Sequence, residues 1–270
     1  VELLPANLTL SDVNHWIFAL ILGYGRMLGL LILFPLFSWI GRLNTIRNGA
    51  AVAFALPMVP FLMETVPLPE LTFSIPYIIM LGKEVFIGVM LGLFTAVPIW
   101  GVQGAGDLID TYRGASSANL FDPNMALEAP ITGMLFIIAM LCIFLISGGL
   151  QIVLGAVYDS YTIWPAATPW PELSMKSAAA MGGLVDKFLM IGIVIAAPLL
   201  IAMFLAEATL AFTSQINKRG NLWELDSAIK NVVYSFLLPI YMLFVVKYFG
   251  RELTIMRELV GYVKIWVPAN

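Results

Sequence analysis

The sequence is short of the residues that carry most soluble chemistry. It has one cysteine, Cys142, which excludes an internal disulfide and any multi-thiolate metal or iron–sulfur site. It has one histidine, His15, which leaves little for zinc, haem or a histidine proton relay. Charged residues make up only 11% of its 270 positions, against about 25% in a soluble domain. A net charge of −3 and an isoelectric point near 5.2 give no basic surface, so no nucleic-acid partner is expected. What fills the chain instead is apolar: 60% hydrophobic residues and a mean hydropathy of +0.92. A globule of this size has too little polar surface to cover that much apolar material. A water-soluble enzyme is nearly excluded, and so is disorder. An integral membrane protein, or a subunit buried in a large apolar assembly, is expected, with no catalytic residues, no metal site and no cofactor.

Six stretches are long enough to cross a bilayer core of about 30 Å as helices. They run from Val13 to Trp39, Thr45 to Met63, Ile75 to Val102, Ile131 to Val157, Phe188 to Phe212 and Ala228 to Gly250. The first lacks a basic leader and is too long for a signal-peptide core, so it is expected to belong to the mature protein. A seventh element, Arg251 to Val267, places Leu253, Met256, Val260, Val263 and Val267 at helical spacing opposite charged residues. That pattern predicts an amphipathic helix, either an interfacial anchor or a docking element. Pro35, Pro57, Pro60, Pro98, Pro198 and Pro239 fall inside or near the ends of five stretches, and the fourth carries Gly148, Gly149 and Gly155. Proline removes a helical hydrogen bond, and in lipid the freed carbonyl needs another partner. The expected fold class is therefore an all-α membrane protein of about six kinked helices or helical hairpins. Counting Lys and Arg on alternate sides gives a tie, so the positive-inside rule assigns no topology.

Arg26, Lys83, Glu84 and Glu207 sit in apolar surroundings, where each costs about 2.5–3.5 kcal/mol on insertion scales. Three readings stay open: a structural ion pair, the wall of a water-lined conduit, or an ion relay. Lys83 and Glu84 are adjacent, about 100° apart on a helix, and need not pair with each other. Gly104-Ala105-Gly106-Asp107 and Tyr158-Asp159 spell the G-x-G-D and Y-D of intramembrane aspartyl proteases, but in reversed order, and the signal is weak.

The most distinctive stretch follows the third segment. Asp110 and Arg113 are three apart and can meet on one helical face, and Gly114 offers a helix end. Residues 114–121 are uncharged and mostly small, and Asp122-Pro123 signals a turn. Such a segment can fold into a pore without burying charge and can be displaced cheaply. It can equally be a plain connection.

Residues Ile109, Asp110, Arg113, Gly114, Asp122 and Pro123 resemble the I-D-x-x-R-G…D-P signature of the SctT family, the T subunit of the type III secretion export apparatus, related to flagellar FliR. Further stretches resemble that family in order. They are Gly82-Lys83-Glu84 with Gly88 and Gly92, Ser147-Gly148-Gly149, Tyr161 to Pro165 (Y-x-x-W-P), Ala197 to Glu207, and Asn221 with Ile229-Lys230. The likeness covers about residues 20–245. Two places depart from the pattern: the basic loop Asn217-Lys218-Arg219-Gly220, and Trp223 where phenylalanine is usual.

The resemblance implies a single export-gate subunit over residues 1–270, with a plug-containing loop at 103–130. Its companions would be the R and S subunits (SctR and SctS), the U and V export subunits, inner-rod and needle proteins, membrane lipid, and unfolded secreted substrates in transit. It implies a helical multi-subunit gate at the bacterial inner membrane that extends toward the periplasm. The plug would be Gly114, Ala115, Ser116, Ser117, Ala118, Asn119, Leu120, Phe121, Asp122 and Pro123, rooted by Ile109, Asp110 and Arg113. Arg26, Lys83, Glu84, Glu207, Asn221 and Lys230 would serve assembly. The injectisome branch is favoured over the flagellar one. A small secondary transporter using Glu84, Asp110 or Glu207 is the rival reading, an intramembrane aspartyl protease a weaker one.

Overall fold

The computed structural model describes residues 10–40, 44–66, 75–114, 131–168, 175–216 and 223–256. Every regular element among them is helical. In chain order they are α1 (Leu10–Leu33), α2 (Pro35–Ile40), α3 (Asn44–Ala55), a 3₁₀ turn (Leu56–Met58), α4 (Val59–Thr65), α5 (Ile75–Tyr112), α6 (Ile131–Ile146), α7 (Gly149–Ile163), α8 (Met175–Ile216) and α9 (Trp223–Met256). Five stretches are long and apolar enough to cross a membrane, or six if α6 and α7 together form one broken span. The protein is an all-α membrane protein.

The segments break at fewer prolines than the sequence offers. The first apolar stretch stops at Phe34, because Pro35 disfavours helical geometry in the residue before it and suits the first turn of α2. The second breaks at the 3₁₀ turn containing Pro57. The fourth breaks at Gly148, whose φ of 73° is left-handed and suits a residue without Cβ. Pro98, Pro198 and Pro239 instead lie inside continuous helices. Two tyrosines serve carbonyls in disturbed turns. Tyr158 donates its hydroxyl to the carbonyl of Phe54, three residues before Pro57. Tyr241 does the same for Ile195, three residues before Pro198. Each hydroxyl thus reaches the carbonyl next to the one, Ala53 or Val194, whose helical donor proline removes.

The chain divides into two compact units. The first holds residues 1–96, 148–182 and 255–270, and the second holds 97–147 and 183–254. In the first unit α1 and the opening half of α5 cross at glycines. A Cβ on Gly88 would strike the backbone of Arg26, and one on Gly92 the backbone of Leu30. Ala19, Leu22, Val59, Leu62, Tyr77 and Tyr161 build its apolar core. In the second unit Gly106 on α5 lies against the backbone of Gly133 on α6 in the same way. Phe136, Val245 and Phe249 are buried there, whereas Ile193, Phe204, Phe236, Ile240 and Leu243 stay exposed along α8 and α9. The expected amphipathic helix is described only over Arg251–Met256, which continues α9; residues 257–267 lie outside the described residues.

Candidate functional site

The motif residues gather into two polar clusters, one in each unit. In the first unit Arg26 is completely buried on α1 and faces Glu84, equally buried on α5. Its Nε and Nη2 donate to the two carboxylate oxygens at 2.7 and 3.0 Å, a planar fork that matches a carboxylate. Nη1 donates to Ser160 Oγ at 2.8 Å, and Nη2 also donates to the carbonyl of Trp164 at 2.9 Å. The guanidinium lies 3.7 Å from the ring centroid of Tyr161. Lys83 Nζ donates to the carbonyls of Pro165, Ala166 and Thr168 at 2.8–3.0 Å. An ammonium has three protons, so these carbonyls use them all. Its contact with Glu84 Oε1, at 3.2 Å, is therefore mainly Coulombic. The adjacency of Lys83 and Glu84 does not keep them apart, because the long lysine stem bends back toward the shared carboxylate. The three carbonyls lie in the turn that follows α7, and the Pro165 carbonyl also accepts from the Thr168 N–H. The G-K-E and Y-x-x-W-P stretches thus form one site, with Arg26 as its third member.

The second cluster stands where α5 ends. Arg113 N donates to the carbonyl of Ile109, and Gly114, at φ 79°, closes the last turn on Thr111. Asp110 is 1% exposed and accepts from four groups. Arg113 reaches its Oδ1 with Nε and Nη2, both at 2.7 Å. The Thr132 hydroxyl donates to Oδ1 at 2.5 Å, and the Thr132 N–H donates to Oδ2 at 2.7 Å. Thr132 stands in the first turn of α6, whose N–H groups have no partner within the helix. Asp110 therefore caps α6 from a different helix, and its negative charge suits that helix end. The opposite side of the cluster is α9. Tyr234 Oη lies 2.7 Å from Thr132 Oγ1, Asn231 accepts from Arg113 Nη1 at 3.0 Å, and the guanidinium stands 4.5 Å from the Tyr234 ring centroid.

A more open layer flanks it. Lys230 Nζ bonds Glu207 Oε2 at 3.0 Å and Asp226 Oδ2 at 2.8 Å, and lies 4.7 Å from the Tyr112 ring centroid. Tyr112 donates to Glu207 Oε2 at 2.8 Å. The Glu207 side chain is 42% exposed, in contrast to the sealed Glu84.

Of the sequence-derived residues, Arg26, Lys83 and Glu84 meet in one cluster. Asp110, Arg113, Glu207 and Lys230 meet in the other, and Ile109 is buried at its base. Gly114 is the last described residue before the gap; residues 115–123 and Asn221 lie outside the described residues. Ser160, Thr132, Asn231, Tyr234, Tyr112 and Asp226 join the clusters without having been singled out. Only Asp226 and Lys230 carried a local signal, an acid four residues before a base. Of the protease-like pair, Asp159 is exposed on α7, and Asp107 packs against Gly133.

The profile of a family described as bacterial export proteins, family 1, matches residues 17–256. The chain is 30% identical over 213 residues to "Yop proteins translocation protein T" of Yersinia pestis, covering 79% of this chain and 81% of that one. It is 27% identical over 263 residues to "Secretion system apparatus protein SsaT" of Salmonella typhimurium, covering 96% and 99%. It is also 27% identical over 258 residues to "Flagellar biosynthetic protein FliR" of Bacillus subtilis, covering 92% and 96%.

Proposed function

Because this chain belongs to the bacterial export proteins, family 1, we propose that it is a core subunit of a type III secretion export gate in the bacterial inner membrane. It lines part of a conduit for unfolded secreted proteins, and residues Gly114–Pro123 close that conduit at rest. No bond is made or broken by this subunit. The R and S subunits are its nearest companions, with the U and V export subunits and the inner-rod and needle proteins beyond them. The exposed apolar residues of α8 and α9 are surfaces for those companions or for lipid.

The observation that carries this reading is the double attachment of segment 115–130. Gly114 and Ile131, which flank the segment, both belong to the second unit. One carboxylate, Asp110, holds Arg113 on the outgoing side and Thr132 on the incoming side. The helix ends on either side of the segment are thus tied to one buried group. Residues 114–121 are uncharged, so they would enter and leave an apolar constriction at low desolvation cost. The occupied state of the carboxylates favours this over solute transport: Glu84 is held by the Arg26 fork, and Asp110 by four donors.

The test is conductance. Assembled complexes lacking Gly114–Phe121, reconstituted in a planar bilayer, should pass small ions that the intact complex blocks, while co-purifying with the same partners. Unchanged conductance in a fully assembled deletion complex would refute the plug.

A further inference from the structure

We propose that the α8–α9 hairpin carries a binding site for an anionic phospholipid: an apolar groove takes an acyl chain, and Lys187, Lys247 and Arg251 take the phosphate. The site lies wholly within the second unit. It rests on the membrane-spanning fold and is independent of the plug.

The groove is a cavity of about 410 Å³ lined by Pro198 and Leu199 of α8 and by Leu237, Ile240, Tyr241 and Phe244 of α9. Its one polar side chain is spent, because the Tyr241 hydroxyl donates to the Ile195 carbonyl. A polar ligand finds no partner there and would lose its hydration, whereas hydrocarbon loses nothing. Ile240 is 71% exposed, so the groove is open at the surface.

Two contacts set the register of the hairpin. Tyr241 meets Ile195, and Lys230 meets Glu207. A move of eleven residues back along α9 matches one of twelve forward along α8, so the helices run antiparallel. Lys187 precedes Ile195 by eight residues and stands about 12 Å beyond that contact. Lys247 and Arg251 follow Tyr241 by six and ten residues, at about 9 and 15 Å in the same direction. The three cations thus share one end of the hairpin.

They also share the face of the groove. Lys247 follows Ile240, and Arg251 follows Phe244, by seven residues or about two turns. Lys187 precedes Pro198 by eleven residues, about three turns. Asp186 and Glu252 occupy helix positions about 100° off this face. Lys247 and Arg251 are exposed, and the Arg251 guanidinium stands 5.2 Å from the Tyr248 ring centroid. At the opposite end Lys230 is already bound by Glu207 and Asp226.

No charged residue lies between the two ends, over Phe188–Ala206 of α8 and Asn231–Val246 of α9. Lys187 and Glu207 are separated by about 30 Å of helix, the thickness of a bilayer core. The cations therefore fall at one headgroup layer. Pro198 lies about 16 Å deeper, half of that core, so the groove faces the acyl chains of the same leaflet. Basic pockets between membrane helices hold anionic headgroups in this way.

The test uses the assembled complex. After delipidation in detergent it is titrated with palmitoyl-oleoyl phosphatidylglycerol, or with phosphatidylcholine of the same chains, and bound lipid is counted by native mass spectrometry. Lipid held elsewhere is common to all variants, so each is read against wild type. A cation at the membrane surface contributes roughly fivefold. Lys247→Gln combined with Arg251→Gln should therefore weaken one phosphatidylglycerol roughly 25-fold and leave phosphatidylcholine unchanged. Ile240→Trp, which fills the groove, should remove one lipid of either kind. Arg47→Gln, on α3 in the first unit, should change neither count. An unchanged count in the double variant or in Ile240→Trp overturns the site, and so does an equal loss in Arg47→Gln. In native membranes, a photo-crosslinking residue in place of Ile240 should capture phospholipid. Capture of a companion chain, or of a second copy of this chain, would give the groove to protein and overturn the proposal.

Discussion

The two polar clusters are built from the same residue types and differ in how far they are closed off. The Arg26–Glu84 pair in the first unit has no exposed surface on either side chain. In the second unit exposure grows stepwise, from 1% at Asp110 through 13% at Arg113 to 42% at Glu207. Charge sealed in an apolar core is strongly destabilising once a partner is lost, so such a pair holds one geometry. Charge at a half-wet boundary exchanges partners with water at little cost. The first cluster suits a fixed joint between α1, α5 and the turn after α7. The second ties the end of α5 to the start of α6 through a buried carboxylate, and water reaches only its outer layer at Glu207.

The comparison can be broken at three depths. The largest effect belongs to Glu84→Ala, which leaves Arg26 and Lys83 buried without a counter-charge. It should destabilise by about 3–5 kcal/mol, seen as loss of folded protein and of co-purifying partners. A variant that assembles in normal amounts would show that the first cluster is no joint. Asp110→Asn comes next. It keeps the shape but turns one accepting oxygen into an N–H donor, so a donor of Arg113 or Thr132 loses its partner, costing about 1–3 kcal/mol. Assembly should persist while basal conductance rises, and the reverse pattern would exchange the roles of the two clusters. Glu207→Gln is smallest. With its side chain 42% exposed, it should change stability by at most about 1 kcal/mol, measurable in a chemical unfolding curve. A larger loss would mean that the outer layer is buried in the assembly.

Legibility followed sequence distance. Asp110 and Arg113 could be paired on paper because a helix brings residues three apart onto one face, and Gly114 marked the end of that helix. The apolar runs gave the helices but not all of their breaks. Pro35 and Pro57 interrupt the chain as expected, while Pro98, Pro198 and Pro239 sit inside continuous helices. Beside Pro198 the Ile195 carbonyl accepts from Tyr241 of another helix, a contact that no local pattern announces. The contact of Lys83 with Glu84 was hidden because side-chain direction on an ideal helix ignores the reach of a four-carbon stem. Thr132 and Tyr234 were illegible for a plainer reason. They lie 22 residues from Asp110 and 102 residues from Thr132 along the chain, and neither is an unusual residue. The family-like motifs were visible one by one; their gathering into two clusters requires the folded chain.

The most direct test of the central claim is an electron cryomicroscopy map of the closed, fully assembled complex. Residues 115–123 should cross the axis of a central opening, with Asp110, Thr132 and Tyr234 joined beside it. A map that places those residues on the outer wall, with the opening blocked by other chains, would contradict it.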